Sequence, residues 1–79
     1  MAVLINKNGE ESDVKLETLK QMQDFVEGRI HFLRIKGGNF LIVNKDGFDL
    51  GLKHNAKASN ISNEIVFGTA ILCEKHEIY

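Results

Sequence analysis

Only one stretch of this chain carries an apolar stripe of helical period, whereas its other apolar segments have the length of β-strands. Leu19, Met22, Phe25 and Val26 recur at the spacing that places side chains on one face of an α-helix. A single amphipathic helix cannot bury its own apolar face, so it must pack on the strands that surround it in the sequence. This arrangement predicts an α+β fold.

The ends of the predicted helix carry their own signals. Thr18 and Gln21 match a capping box, in which each side chain bonds a free backbone amide at the start of a helix. Gly28 stands at a position where helices commonly end in a left-handed residue. We therefore predict that the helix begins after Thr18 and that Gly28 closes it.

Two short strands are predicted before the helix. Val3, Leu4 and Ile5 form an apolar run, and Val14 and Leu16 alternate with a lysine. Residues 6–13 are polar and contain a glycine, which predicts a loop between the two strands.

The strands predicted after the helix make up most of the sheet. The Asp46-Gly47 pair is a strong hairpin signal, because both positions of such a turn favour a positive φ. We expect a three-stranded antiparallel meander here. Its predicted strands are residues 29–36, 40–43 and 48–52, and its turns are Gly37–Asn39 and Asp46-Gly47.

A last strand is predicted over residues 65–73, with apolar side chains on both faces. Ile71 and Cys73 fall on one face, and Ala70 and Leu72 fall on the other, which indicates a central strand or a sheet covered on both sides. Residues 54–63 form one helical turn or an ordered loop. The predicted fold is one main helix packed on a mainly antiparallel sheet of about four to six strands.

Chain length favours one domain, residues 1–79, with a small core. A chain of this size buries only roughly 60% of the surface that its unfolded form exposes. Such domains are often supported by disulfides, a metal or a partner chain. Cys73 is the one cysteine, so no internal disulfide forms, and no Cys/His cluster offers a zinc site. We therefore expect a homo-oligomer.

Charge and hydropathy narrow the classes of partner. The net charge of −1 gives no attraction toward nucleic acid or acidic membranes. No apolar run approaches the ~20 residues that span a bilayer, and the first residues lack the basic start of a secretory signal. We expect a cytoplasmic protein that does not bind membranes, with nucleic acid a disfavoured partner.

Catalytic and metal-binding groups do not form a pattern. Nucleophilic catalysis needs a nucleophile with a base and an orienting group, and Cys73 lies instead within an apolar strand. His31, His54 and His76 belong to different elements, and their spacing does not favour a metal site. The sequence predicts a protein that is not an enzyme and that uses neither a metal nor a cofactor.

One polar segment is a candidate for ligand binding. Residues 53–60 are dense in hydrogen-bonding side chains and also contain small residues, which allow close approach of a ligand. An ordinary polar connection is the alternative interpretation. Asn44 ends an apolar strand just before a turn, where it caps the hairpin or points into a shared pocket.

Several short pieces occur along the chain in a defined order and spacing, from about Val14 to Leu72. These pieces are Leu19, Met22, Gln23, Val26 and Gly28 with Ile30, then Val43-Asn44 and Gly47, then Leu52, Asn55 and Ala58, and finally Ile65 and Gly68. In this pattern the chain resembles a small domain-of-unknown-function family numbered 3846 (DUF3846).

The resemblance implies an accessory protein of a bacteriophage or mobile element, acting in the cytoplasm of a bacterial host. Proteins of this kind often inhibit host defence, and one class sequesters nucleotide-derived immune signals in pockets between small α+β subunits. By this analogy we hypothesise a non-enzymatic, homo-oligomeric binder of a nucleotide-like ligand. Its candidate ligand contacts are Lys53, His54 and Asn55, with Asn44, His31 and Arg34 as secondary candidates.

Two alternatives have different markers. A protein-interaction module that inhibits a host defence protein would expose a strand edge or apolar patch, built from Phe32, Leu33 and the Ile78-Tyr79 tail. A nucleic-acid-binding module ranks third, because lysine and arginine together number only 10 against 11 acidic residues.

Overall fold

The computed structural model describes residues 2–74, which form a five-stranded antiparallel sheet with an α-helix on each face. This confirms the predicted α+β class. The strand order is β2-β1-β5-β4-β3. In chain order the elements are β1 (Ala2–Ile5), β2 (Glu11–Val14), α1 (Leu19–Val26), β3 (Ile30–Arg34), a 3₁₀ turn (Lys36–Gly38), β4 (Asn39–Asn44), α2 (Ala56–Ser62) and β5 (Ala70–Glu74).

The register of the strands defines two ends of the sheet. Ile5 pairs with Ala70, and Ile30 pairs with Asn44, so these four residues lie toward one end, which we call the Asn44 end. Arg34 pairs with Phe40 at the opposite end. His76 and the Ile78-Tyr79 tail, which the sequence analysis considered as a candidate metal ligand and as part of an interaction surface, lie outside the described residues.

Helix α1 covers one face of the sheet. Met22 and Val26 are buried against Ile42 of β4 and Ile71 of β5, and Phe25 packs partly buried on the same cluster. The predicted apolar stripe therefore faces the sheet, except at Leu19 in the first turn, which is 57% exposed.

Helix α2 covers the other face. Ala58 is fully buried in a second apolar cluster with Ile5, Leu41 and Ala70. Because β5 alternates between the two clusters, its predicted division into two apolar faces is confirmed. Residues 54–63, for which the sequence allowed one helical turn or an ordered loop, contain the seven-residue helix α2, which is one residue shorter than α1.

The capping box at the start of α1 is confirmed. Thr18 Oγ1 accepts a hydrogen bond from Gln21 N at 3.2 Å, and Gln21 Oε1 accepts one from Thr18 N at 3.2 Å. The predicted role of Gly28 is wrong, because the left-handed residue is Glu27, with φ 66° and ψ 35°. Gly28 is needed for space instead: a Cβ there would lie 2.8 Å from Nδ2 of Asn44.

Strand β2 begins earlier than the sequence indicated, within the predicted loop. The loop is short because Asn6 organises it: Oδ1 of Asn6 accepts hydrogen bonds from the amides of Asn8 and Glu10 at 2.9 and 3.0 Å. This local side-chain turn is typical of asparagine. It reverses the chain soon enough for Glu11 to pair with Ile5.

The prediction of a third meander strand over residues 48–52 is wrong, because residues 48–51 form turns. Oδ1 of Asn44 accepts from the amide of Asp46, and the amide of Leu52 donates to Gly47 O at 3.0 Å, which curls the segment. Strand β5 takes the place beside β4. It begins at Ala70, so Ile65 lies outside the strand that was predicted to contain it.

Candidate binding groove

A groove of about 230 Å³ opens on the α2 face, at the Asn44 end of the sheet. Strand β3 supplies His31 and Leu33 to its wall, and the end of β4 supplies Val43 and Asn44. The two connections that flank α2 complete it. They contribute Lys45, Gly47 and Phe48 before the helix, and Glu64, Ile65, Val66 and Phe67 after it.

The rings in and beside this groove form a connected series. Phe48 meets Phe67 edge to face, with ring centroids 5.5 Å apart and an interplanar angle of 84°. His54 contacts the same Phe67 ring at 5.8 Å. Phe48 nevertheless leaves 68% of its surface exposed, and Ile65 leaves 75%. Exposed apolar groups that share one concave surface are typical of binding sites.

Close backbone packing holds Phe48 in this position. Gly47 is buried, and a Cβ at that residue would lie 2.8 Å from the carbonyl oxygen of Phe67. Glycine is therefore needed where the turn after β4 crosses the connection before β5. The next residue, Phe48, is directed onto the Phe67 ring by this contact.

The groove carries charges of both signs. Lys45 and Glu64 both line it, and His31 adds an imidazole ring. The backbone amide of Lys45 donates to Arg29 O at 2.8 Å, which continues the β3–β4 ladder past Asn44 and fixes the base of the lysine. The groove therefore offers a cation, a carboxylate and several ring faces to a ligand.

An ion pair stabilises the turn that leads into the groove. Arg29 Nε and Nη2 donate to the two carboxylate oxygens of Asp46 at 2.8 and 2.7 Å, a bidentate arrangement. The hydrogen bonds from Arg29 lower the pKa of Asp46 below its usual value, and they raise the pKa of Arg29.

Two predicted ligand contacts line this groove, His31 and Asn44. His31 is exposed on β3. Asn44 is nearly buried, and Nδ2 donates to Val26 O at 2.9 Å, while Oδ1 accepts from the amide of Asp46 at 2.7 Å. Its amide therefore caps the turn after β4 and ties it to α1, so its role is the local cap, although the segment that follows is not the second strand of a hairpin.

Lys53 and His54 lie beside the groove, where the His54 ring contacts Phe67 and Lys53 O accepts from the amide of Gly68 at 2.7 Å. The ammonium group of Lys53 contacts Oδ1 of Asn8 at 3.1 Å, in an exposed position. His54 is also exposed and forms an isolated β-bridge with Phe67. Both side chains are accessible to a ligand that extends out of the groove.

Asn55 is fully buried and makes three side-chain hydrogen bonds inside the protein. Nδ2 donates to Ile5 O at 3.0 Å and to Gly68 O at 2.8 Å, and Oδ1 accepts from the amide of Ala58 at 3.1 Å. Asn55 thus caps α2 and joins it to β1. A ligand could reach this amide only after these bonds broke.

Arg34 lies apart from the other predicted contacts, at the opposite end of the sheet. It lines a separate concavity of about 380 Å³, together with Ile35 and the end of α2, where Asn60, Ile61, Ser62 and Asn63 lie. The structure therefore gathers five of the predicted contacts around the Asn44 end and separates the sixth.

A serine–histidine contact next to the groove is structural. His54 Nε2 lies 3.1 Å from Ser59 Oγ, which resembles part of a catalytic pair. The Ser59 hydroxyl, however, donates to Asn55 O at 2.8 Å and accepts from the amide of Val66 at 2.8 Å. The hydroxyl proton is therefore directed to a backbone carbonyl and not to His54. The bond from Val66 N joins Ser59 of α2 to the connection before β5.

Residues 2–74 hold no group of three or more His, Cys, Asp or Glu side chains placed to share a metal ion. Cys73 is buried between the sheet and α1. Within the same described part of the chain, no helix has both the length and the apolar character needed to cross a membrane.

Sequence reasoning missed Phe48, Ile65 and Phe67 as groove residues. Phe48 was assigned to a half-buried strand because it alternates with polar or small residues, and Ile65 and Phe67 were assigned to a last strand with apolar side chains on both faces. The sequence Phe48-Asp49-Leu50-Gly51 contained a signal for a turn, because an aspartate follows Phe48 and a glycine follows Leu50. Such composition favours turns, and an aromatic residue in a turn is commonly exposed.

One comparison with known proteins identifies a relationship. The model of a protein family described as a domain of unknown function (DUF3846) matches residues 1–78. No match was found among curated proteins or among solved structures.

Proposed function

From the premise that this chain belongs to the DUF3846 family, we propose that it is a non-catalytic binding protein for a small anionic molecule that carries a planar ring. A nucleotide-derived signal is the ligand class that fits best. The observation that carries this proposal is the exposed ring of Phe48, held against Phe67 in a groove that also contains His31 and Lys45.

Each part of such a ligand has a chemical counterpart in the groove. A base stacked on an aromatic side chain is stabilised by about 1–3 kcal/mol. Phe48 and His31 offer ring faces for this contact, and Lys45 offers a cation for a phosphate. His54 contacts Phe67 beside the groove and Lys53 precedes it in the chain, so both are placed to meet a second phosphate or a ribose that extends out of the groove.

The size of the groove limits the ligand. At about 230 Å³ it is smaller than the roughly 300–1,000 Å³ of typical small-molecule sites. One subunit therefore encloses a single ring system and leaves the rest of the ligand outside. A homo-oligomer, in which a second subunit adds to the groove, is the assembly that we propose for the working protein.

The biological setting is proposed from family resemblance. We place the protein among the accessory proteins of phages or mobile elements, acting in the host cytoplasm. There it would lower the concentration of a defence signal by sequestration, without chemical change. The absence of a reaction is testable, because a sequestered nucleotide is recovered intact when the protein is denatured.

The test is a thermal-shift and calorimetric screen with AMP, ADP-ribose and cyclic dinucleotides. A ligand present at about 100 times its dissociation constant is expected to stabilise the folded protein by about 2.7 kcal/mol. Chromatography of the released ligand then distinguishes sequestration from turnover. Absence of stabilisation by every nucleotide, or recovery of a cleaved product, would contradict the proposal.

Two variants locate the site. Phe48→Ala removes the exposed ring and is expected to weaken binding by roughly fivefold to 150-fold, from the stacking energy above. Leu50→Ala is the matched control, because Leu50 is also exposed in the same turn but does not line the groove. Equal affinity of the Phe48→Ala variant and wild type would place the ligand elsewhere.

A protein-interaction module is the second candidate, and the edge of β3 favours it. Phe32 is 39% exposed on this edge strand, and Leu33 is half-buried beside it, as that hypothesis required. Affinity capture from a host lysate tests this alternative. A stoichiometric host protein that is released by substitutions on β3, with no nucleotide response, would favour it over the first proposal.

A further inference from the structure

The two edges of the sheet differ in chemistry. On β2 three consecutive exposed residues, Glu11, Ser12 and Asp13, are polar or acidic. Charged side chains on an edge strand prevent its pairing with another chain. Strand β3 has the sequence Ile-His-Phe-Leu-Arg, contains neither proline nor a carboxylate, and carries its arginine at its last position. Of the two edges, β3 is therefore the less protected one.

The hydrogen bonds of β3 indicate which backbone groups point outward. Lys45 N donates to Arg29 O, and Ile35 N donates to Asn39 O, at the two ends of the β3–β4 ladder. In an antiparallel pair every second residue bonds to the partner strand. The odd-numbered residues therefore face β4. Ile30, Phe32 and Arg34 direct their amides and carbonyls away from the sheet, where no other strand of residues 2–74 lies.

We propose that a second copy of this chain pairs with β3 through its own β3, in antiparallel register centred on Phe32. This register places Phe32 opposite Phe32 of the second copy, and Ile30 opposite Arg34 of the second copy. It is the symmetric register that pairs all three outward residues, with two hydrogen bonds for each pair. Two sheets would thereby become one continuous sheet.

Side-chain chemistry supports a self-pairing of this edge. Phe32 already meets Phe40 of its own chain edge to face, with ring centroids 6.3 Å apart. The proposed register adds Phe32 of the second copy to this pair, and aromatic cross-strand pairs stabilise sheets. Arg34, the one arginine or lysine within the strand, lies opposite an isoleucine, so the two arginines do not oppose each other.

Charge at the two ends of β3 is also complementary. Glu27 is exposed at the end of α1, just before the strand begins, and Arg34 is exposed where the strand ends. Antiparallel pairing brings the beginning of one strand to the end of the other. In the proposed register Arg34 of the second copy lies opposite Ile30, and Glu27 lies three residues further along, so the opposite charges at each end of the pair attract one another across the rim without forming a direct ion pair.

The same pairing changes the binding groove. His31 and Leu33 lie on the α2 face of β3 and line the groove. In the proposed register Leu33 of the second copy lies opposite His31, so the partner adds an apolar side chain to the open rim. This inference rests on the proposed assembly as a homo-oligomer, but it does not depend on the identity of the ligand.

Sedimentation velocity of the full chain tests the proposal without any ligand. We expect a monomer–dimer equilibrium between about 1 µM and about 1 mM, the range in which weak complexes dissociate. Arg34→Pro removes an outward amide and leaves the β3–β4 bonds intact, and it is expected to raise the dimer dissociation constant at least roughly tenfold. Circular dichroism checks that this variant remains folded.

A matched control lies on the other edge. Asn6 N donates to Glu10 O, so by the same alternation the amide of Asp13 points outward from β2. Asp13→Pro is expected to dimerise like wild type. A monomeric wild type throughout this range, or a dimer lost in Asp13→Pro and kept in Arg34→Pro, would overturn the proposal.

A charge exchange tests the antiparallel orientation independently of proline. Glu27→Arg and Arg34→Glu are each expected to weaken the dimer about threefold to tenfold at low salt, and the double variant is expected to recover most of the wild-type affinity. Failure of the double variant to recover, with both single variants folded and weakened, would contradict the approach of these two strand ends. Nucleotide binding by a monomeric variant would leave the proposed function standing while the interface failed.

Discussion

The side chain of Asn44 ties the end of helix α1 to the end of strand β4, because its Nδ2 donates to Val26 O at 2.9 Å. The same side chain begins the turn that leads to Phe48, since its Oδ1 accepts from the amide of Asp46. Gly28 makes room for this arrangement by lacking a Cβ. One buried amide therefore connects the helix, the sheet and the groove.

Asn44→Asp should destabilise the fold at neutral pH. A carboxylate can still accept from the amide of Asp46, but it cannot donate to Val26 O, and burial disfavours its charge. We expect the free energy of unfolding to fall by about 1–3 kcal/mol, measured by urea denaturation. Asn60→Asp is the control, because Asn60 is exposed on α2, and we expect a change within about 0.5 kcal/mol. Similar stabilities of the two variants would contradict this account.

Asn55→Ala should cost more stability than His54→Ala, although the two residues are neighbours. The first change removes the cap of α2 and leaves the carbonyls of Ile5 and Gly68 without their side-chain donor. We expect a loss of about 3 kcal/mol for Asn55→Ala, from a lost cap and unsatisfied buried groups.

The comparison with His54→Ala separates stability from binding. His54 is exposed, so its removal is expected to leave the unfolding midpoint nearly unchanged. If the proposed nucleotide complex forms, we expect His54→Ala to weaken nucleotide binding while the protein remains fully folded. If Asn55→Ala unfolded at the same denaturant concentration as wild type, the structural role assigned to its amide would be incorrect.

How far the sequence predicts this molecule depends on the range of the interactions involved. The start of α1 was predictable, because the capping box lies within four residues and is decided locally. The two faces of β5 were predictable from alternation alone. Strand order was not, because the position of β5 between β1 and β4 depends on pairing between distant segments.

The groove shows the same limit. Asp46-Gly47 correctly marks a turn, but whether a strand follows depends on Asn44, which caps a curled segment in place of a hairpin. The polar segment 53–60 drew attention for its hydrogen-bonding side chains, yet the burial of Asn55 follows from contacts with residues as distant as Ile5. Local composition identified residues 53–60 as a candidate binding segment, but it could not assign a role to each residue.

Glu27→Gly should stabilise the protein. Glu27 has φ 66°, a left-handed conformation that costs a non-glycine residue roughly 1–2 kcal/mol and costs glycine little. We expect a gain of about 0.5–1 kcal/mol in the free energy of unfolding, since glycine also has greater freedom in the unfolded chain. Thermal and urea denaturation measure this gain.

Asn63→Gly is the matched comparison for that substitution. Asn63 ends α2 with φ 61°, and asparagine tolerates this conformation better than glutamate does. We therefore expect a smaller gain at Asn63 than at Glu27. A loss of stability in Glu27→Gly would indicate that the glutamate side chain makes a stabilising contact that outweighs the backbone cost.

The Arg29–Asp46 pair should make stability depend on acid pH in a defined way. The pKa of Asp46 lies below its ordinary value of 3.8 in the folded protein, chiefly because Arg29 donates hydrogen bonds to its carboxylate. A carboxyl group whose pKa is lower in the folded state stabilises that state above its unfolded pKa. This stabilisation is lost as the pH falls through the folded pKa.

Arg29→Met removes the hydrogen-bond donors and keeps the length of the side chain. We expect the carboxyl resonance of Asp46, followed by NMR, to titrate at a higher pH in this variant than in wild type. The difference in stability between the two proteins should be constant from pH 7 to about pH 5 and should disappear below the folded pKa. Lys20→Gln is the control, because it breaks an exposed helical ion pair with Asp24 far along the chain from Asp46. Identical titration of Asp46 with and without Arg29 would refute the assignment of the shift to this pair.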